Sequence, residues 1–598
     1  MKMRYRRENE GRRSVATRGK TRMSATILAV AAIFTACWGG VQRASAGEPS
    51  DDKAWRPVAV VACAGYDATW EAAERVAKEM KFAEAVEVAR SVYGDVQGVD
   101  REKPFGLVVA TNGSEIVPFA FLPIADVEKL DFFGAADLKK KIETTAKGAF
   151  IVGAPRFRLL EKDGWLFICE EGKETVLPTD DPSLWLDCAG PLSFQLELTA
   201  LPKELFEAGF AALRQKAAEN APTDDEAALE QFDATLEYYS AIFDSLKRIA
   251  WTLNVDAATG DLVWECEVVA KDGSPLAETF VGAQKAETRW SAVAETPDAV
   301  FAAVQAGKRS ALDLDFLSKQ QTVAFDNFKT ALEIALESDE ELALAEELCV
   351  AVEKFAKSTS ADGTFDAASA FVCEPTLLFS SAVAPVEGSE LTVVARKIFA
   401  KLEKDEPQLA GKIGKFVEFD AETVEGYSVS KLDVSLAEFA EKLREESGLR
   451  EELAASLGEK SLAVRLGTSA DAILLVVGLD STAVETEFAR IAAASKTKTP
   501  TPRRAAFAVA PLGRLLLKAL GEGDETPVVL RKTLERVAEA SDARFEVEYS
   551  VDGNRLAARY VVKSGVFRLI GDVARTFLVA RIGSGGEGED VDYLFEEE

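Results

Sequence analysis

Short segments of alternating apolar and polar residues, joined by glycine-bearing turns, recur along this 598-residue chain and point it towards antiparallel sheet. The stretch RFEVEYSVDGNRLAARYVV shows the pattern: Phe545, Val547, Tyr549 and Val551 alternate with Glu546, Glu548 and Ser550. A period of two puts the first set on one face of a strand and the second set on the other. Asp552-Gly553, Asn112-Gly113 and Asp163-Gly164 read as tight type I′ turns between such strands. Parallel βαβ units would need a crossover in place of each turn, so the expected class is α+β with antiparallel sheets.

The hairpins fall into a repeating order. Residues 191–283 read as strand, helix, helix, hairpin, opening on SFQLELT and closing on IAWTLNVDAATGDLVWECEVVA. Residues 503–572 repeat that order from AAFAVA to the Asp552-Gly553 hairpin. A third copy covers 289–400, with RWSAVAE as its opening strand and a helical region over roughly 297–357. A second kind of unit, hairpin then amphipathic helix, occurs at 107–133 and 463–491. RFRLLEKDGWLFI is matched with FVEFDAETVEGYSVSKLDVS, turning near Gly426. These readings give two related halves, 57–283 and 289–572, built from duplicated antiparallel units with helices packed on one face. An acidic, glycine-rich tail, 573–598, is expected to be disordered.

The chain contains no histidine, which removes whole classes of chemistry. Ser-His-Asp and Cys-His nucleophiles are ruled out, as is every imidazole metal ligand. Paired carboxylates remain as an acid–base device. The best candidate is the loop TDDPSLWLD, where Asp180, Asp181 and Asp187 surround Trp185, a combination that could bind a sugar or a cation. The competing reading is a proline-punctuated turn pinned by a buried Trp185.

Other motifs fail on context. Gly583-Ser584-Gly585-Gly586-Glu587-Gly588 fits GxGxxG but lacks the strand and helix a dinucleotide site needs. Asp256 and Glu267 have EF-hand spacing but lie in a hairpin without the intermediate oxygen ligands. Ser428 with Lys431, and Ser495 with Lys498, form SxxK pairs in a strand and in a polar linker respectively. No cofactor motif and no metal-ligand spacing is found.

The first 46 residues read as an export leader: a basic stretch, the apolar run ATILAVAAIFTACWGGV, and Ala44-Ser45-Ala46 before Gly47. This segment holds ten Lys and Arg and two Asp and Glu. Of the chain's 70 basic and 100 acidic residues, 60 and 98 then remain. Such acidity repels phosphate backbones and anionic surfaces, which disfavours nucleic acid, and it admits a cation or a basic envelope protein as partner. No later apolar run is long enough for a membrane span. Six cysteines follow Cys37 in the chain, mostly within apolar runs that suit buried thiols; an oxidising compartment would permit a disulfide, with Cys169 and Cys188 the first choice.

The leader, RPVAVVACAGYDATW, FGLVVATNGSEIVPFAFLPIADVEKL and DPSLWLDCAGP together resemble uncharacterised exported proteins of planctomycete-type bacteria. The resemblance covers mainly the first half. It implies export and a shared fold, and carries no activity. The reading it leaves is an exported, non-catalytic binding or structural protein of the cell envelope, periplasmic or extracellular. The alternatives are a carboxylate-based hydrolase acting on glycans and a carrier of an apolar ligand.

Cleavage is expected after Ala46. N-terminal sequencing of secreted material should begin at Gly47; a start at a lipid-modified Cys37 would contradict it.

Overall fold

The structure, a computed structural model, describes residues 55–583 apart from 91–96, 130–141, 146–147, 152–155, 179–189, 221–225, 336–338, 359–361, 406–415, 438–459, 521–527 and a few shorter gaps. The first half runs β1 (Arg56–Cys63), α1 (Tyr66–Glu79), β2 (Phe105–Thr111), β3 (Ile116–Pro123), β4 (Ile142–Thr145), β5 (Gly148–Ile151), β6 (Phe157–Lys162) and β7 (Trp165–Glu170). It continues with β8 (Leu192–Glu197), α2 (Lys203–Asn220), α3 (Glu226–Ser245), β9 (Leu246–Val255), β10 (Leu262–Ala270) and α4 (Pro275–Gln284). The second half opens with β11 (Glu287–Thr288), α5 (Ser291–Ala294), β12 (Ala299–Lys308), α6 (Ala311–Ala335), α7 (Asp339–Ser358), β13 (Thr364–Val372), β14 (Leu378–Ala384) and α8 (Ser389–Asp405). After these come β15 (Val417–Val424), β16 (Tyr427–Ser435), β17 (Ser461–Thr468), β18 (Ile473–Gly478), α9 (Ser481–Ala494), β19 (Thr499–Pro500) and β20 (Arg504–Ala508). The last elements are α10 (Ala510–Leu520), α11 (Val528–Glu539), β21 (Arg544–Asp552), β22 (Arg555–Val562) and α12 (Ser564–Gly583).

Among the described residues twenty strands form one sheet, and every pairing described in it is antiparallel. From one edge inward the order is β4-β5-β6-β7-β3-β2-β1-β8-β9-β10. From the other edge it is β15-β16-β17-β18-β14-β13-β12-β20-β21-β22. The two sequences of strands correspond place by place. They meet at β10 and β22, from Leu262 opposite Val562 to Val269 opposite Arg555. A two-residue ladder, β11 with β19, stands apart.

Charge fixes the register of this joint. On one face Arg248 reaches Glu267, and Glu267 also meets Arg555. Lys563 Nζ lies 3.2 Å from both Asp261 and Glu546. Such pairs add little net energy one by one. A one-residue slip, however, would turn these charges onto the opposite, aromatic face.

Helices cover both faces, which corrects the one-face expectation. On the charged joint's side of the sheet, α5 and α9 bury Val293, Val484, Phe488 and Ile491 against Val304, Ala370, Leu474 and Val476. Trp290 is fully buried there and donates its indole N–H to the Asp366 carbonyl at 3.1 Å. Gly467 lets Phe488 approach the sheet; a Cβ there would sit 2.3 Å from the ring. On the opposite side α1 brings Tyr66 and Trp70 to Phe105 and Leu122. Both faces carry apolar side chains, so both need cover.

Other expectations also shift. RWSAVAE is no strand: it holds Trp290 and α5, and the strand is β12, with helix starting only at Ala311. The hairpin β2–β3 sits beside β1, whereas β17–β18 holds the place that corresponds to β6–β7. The matched pairs of the second kind of unit are therefore reassigned, because alternation shows a hairpin without showing its neighbour. Asp163-Gly164 and Glu425-Gly426 have positive φ at both turn residues, the type I′ geometry. Asp552 instead pairs with Arg555, so the turn residues are Gly553 and Asn554, with positive φ at Gly553 alone, the type II′ geometry. Asn112-Gly113 begins a four-residue loop between Thr111 and Ile116. Helix α12 runs to Gly583, past the expected start of the tail at 573; residues 584–598 and the leader lie outside the described residues.

Ala558 lies mid-β22, paired with Cys266 on one side and Tyr549 on the other. Ala558→Pro should lower the melting temperature by several degrees, while Ala558→Val should not. An unchanged melting temperature in the proline variant, read by circular dichroism, would contradict a continuous sheet.

Candidate functional site

The face opposite the charged joint is apolar across most of the sheet. Cross-strand partners in an antiparallel ladder share a face, so the registers can be followed from strand to strand. One row runs Val477, Phe379, Phe371, Phe301, Phe507, Phe545, Val562, Leu262. The next runs Leu466, Leu475, Ser381, Ser369, Ala303, Ala505, Val547, Tyr560, Trp264, Leu253, Leu192. Neither row contains a charge. With strands about 4.8 Å apart, the eight-strand row spans roughly 34 Å.

Aromatic rings pave this band and remain accessible. Trp264, Tyr560, Phe545, Phe507 and Phe379 are each 37–44 % exposed. Trp264 lies 5.2 Å from Tyr560 and 6.4 Å from Trp251, and Trp251 stacks on Phe194 at 5.7 Å. Five adjacent strands each contribute one phenylalanine to the first row. Scattered exposed apolar residues are ordinary, but a contiguous patch of this kind marks a binding surface.

At one end the band runs into a cavity of about 260 Å³. Its floor is Ser381, Val383, Leu466, Thr468, Ile473 and Leu475 from β14, β17 and β18; its roof is Phe355 from α7 and Thr392 from α8. Among the described residues no charged side chain lines it. The volume falls just below the usual range for small-molecule pockets.

A polar cluster holds the neighbouring helices in place. The Asp313 carboxylate accepts from Tyr238 Oη at 2.8 Å, Thr279 Oγ1 at 2.9 Å, and Ser310 N and Oγ at 3.0 and 2.8 Å. This ties α3 and α4 to the start of α6. Tyr238 also stacks on Phe316 at 4.2 Å. Burial pushes the Asp313 carboxyl up, but the donated hydrogen bonds outweigh it and hold it below its ordinary value. Burial and the Asp313 hydrogen bond push the Tyr238 phenol up to about 12.

Four of the described thiols are held in their neutral form. Cys63, Cys169, Cys266 and Cys373 are all free thiols pushed up by burial, Cys169 to about 11. Cys169 is a buried core residue on β7, which corrects the disulfide expectation; Cys188 lies outside the described residues. Burial raises the Asp366 carboxyl, which accepts from Thr288 Oγ1 at 2.5 Å and Arg289 N at 2.9 Å. Those partners give it a structural task beneath Trp290.

The expected site is not brought together with this band. Asp180, Asp181, Trp185 and Asp187 lie outside the described residues, as do Ala46 and Gly47. Asp256 Oδ1 accepts from Ala258 N at 2.8 Å and Thr259 N at 3.0 Å, closing the β9–β10 turn. Glu267 belongs to the charged joint. Ser428 Oγ donates to Asp420 on the neighbouring strand at 2.5 Å. Ser495 is not in a linker: it ends α9, buried, with its hydroxyl 3.1 Å from Tyr427 Oη. Among the described residues no group of three or more Cys, Asp or Glu is placed to hold a metal ion. The aromatic band was missed because each phenylalanine stands alone in its strand, and only the strand order aligns them.

Asp313→Ala should cost about 1–3 kcal/mol at neutral pH by stranding its donors. A carboxyl held low stabilises the fold above its unfolded-state value, and that stabilisation is lost as pH falls through the lower folded-state value. The gap in melting temperature between variant and wild type should therefore shrink below about pH 4. A gap that widens in acid would contradict this role for Asp313.

Among the described residues, no helix is long and apolar enough to cross a membrane. Comparison with protein-family models, with curated proteins and with solved structures found no match to this chain.

Proposed function

We propose that this chain is an exported, non-catalytic binding protein of the cell envelope that carries an apolar ligand on the aromatic face of its sheet. One observation carries the reading: accessible aromatic side chains lie in an uncharged band that leads into an uncharged cavity. The carrier, an alternative on sequence grounds, thereby moves ahead of a purely structural role. Export rests on the basic leader and the Ala44-Ser45-Ala46 site. The acidic surface keeps such a protein soluble while it exposes an apolar band. The matching strand orders support an origin by duplication, with each half supplying ten strands and the joint uniting their aromatic faces.

A hydrolase would need a carboxyl acid and a second carboxylate about 5–10 Å away across a cleft. The two rows of the band contain no carboxylate.

Titration with 1-hexadecanol, a neutral chain, tests the reading through the fluorescence of Trp251 and Trp264. Saturable binding is expected, and Trp264→Glu with Phe507→Glu should weaken it about tenfold or more. Absence of saturable binding, or equal affinity in the variant, would overturn the proposal.

A further inference from the structure

The cavity ends near an arginine that makes no ion pair among the described residues. Val383 lies on the cavity floor and pairs with Ala367 of β13. Phe365 is two residues before Ala367, hence on the same face and about 7 Å along the strand. The Arg309 guanidinium sits over the Phe365 ring, 4.7 Å from its centroid. The residue follows β12 directly, on the strand whose Gly307 is opposite Phe365. A cation therefore stands beside the ring that continues the cavity floor.

Acidic residues outnumber basic ones by 100 to 70, and arginines such as Arg248, Arg465 and Arg568 each engage carboxylates. Among the described residues Arg309 makes no ion pair within 4.0 Å. It is half-buried, and desolvation holds it below its ordinary value despite the field of Asp313. Asp313 lies beyond ion-pair distance of it, and the Asp313 carboxylate is hydrogen-bonded to Tyr238, Thr279 and Ser310 instead. A half-buried guanidinium with five donors in a planar fork is suited to pair with an anion.

We infer that the ligand is a single-chain anionic amphiphile, a long-chain carboxylate whose hydrocarbon enters the cavity and whose head group pairs with Arg309. This rests on the apolar-carrier reading and adds the ligand's charge and polarity of entry. The cavity holds roughly nine water-sized groups at about 30 Å³ each, so it takes part of one chain. The remainder runs on across the phenylalanine row. Arginine presents a planar fork that matches both oxygens of a carboxylate, which an alcohol cannot reproduce.

The probe is cis-parinaric acid, a fluorescent fatty acid, displaced by palmitate or by 1-hexadecanol. Wild type should bind palmitate about tenfold or more tightly than hexadecanol. Arg309→Gln should weaken palmitate about tenfold or more and hexadecanol much less, so that the difference is lost, whereas Arg309→Lys should keep most of it. Leu466→Trp, which fills the cavity, should weaken both ligands. Should Arg309→Gln fail to fold, the wild-type ratio of palmitate to hexadecanol decides the matter. Equal affinity of folded Arg309→Gln for palmitate, or a wild-type ratio near one, overturns the inference and leaves the carrier reading standing. Binding of neither ligand removes that reading, and the inference with it.

Discussion

Eight backbone pairs between β10 and β22 make one sheet of two ten-strand halves, and the rest of the architecture depends on them. They align the two faces of the halves. On one side the joint lays Arg248, Glu267 and Arg555 side by side; on the other it lays Trp264 against Tyr560. A slip of one residue would exchange these sets, driving charge onto the aromatic face. The ion pairs thus act as a register device more than as a source of net stability.

That alignment accounts for the candidate site. No single unit contains the band: its phenylalanines come from β12, β13, β14, β20 and β21, and its other aromatics from β8, β9, β10 and β22. Where α5 and α9 close the opposite face, buried Val, Leu and Phe side chains form an ordinary core. On the band's own face, rings between 37 and 44 % exposed show that the long helices leave it open. A helical roof tied down through Asp313 closes only part of it, and the cavity under α7 and α8 lies where that roof meets the floor.

Much of the fold was legible because alternation is a local signal. Phe545, Val547 and Tyr549 announce a strand without help from their neighbours, and Asp163-Gly164 and Glu425-Gly426 form the turns that their residues favour. The order strand, helix, helix, hairpin over 191–283 and 503–572 is present as read. Pairing was not legible. RWSAVAE alternates well enough to pass for a strand, yet Trp290 is anchored by Asp366 and the segment turns helical. Equivalence between hairpins failed for the same reason, since neighbour choice depends on distant chain. Attention to TDDPSLWLD followed charge and tryptophan in a short loop, whereas the band is assembled from residues as far apart as Phe301 and Phe545.

Contact quenching of a single tryptophan tests the central claim, that the aromatic face is an open surface for apolar chains, most directly. In two variants that each keep one tryptophan, Trp264 or Trp290, with the other seven replaced by Phe, a long-chain alcohol brominated along its hydrocarbon should quench Trp264 strongly and saturably and should spare Trp290, which is sealed beneath α5. Quenching of Trp290 with Trp264 untouched, or no quenching by the chain while the fold is intact, would contradict the account.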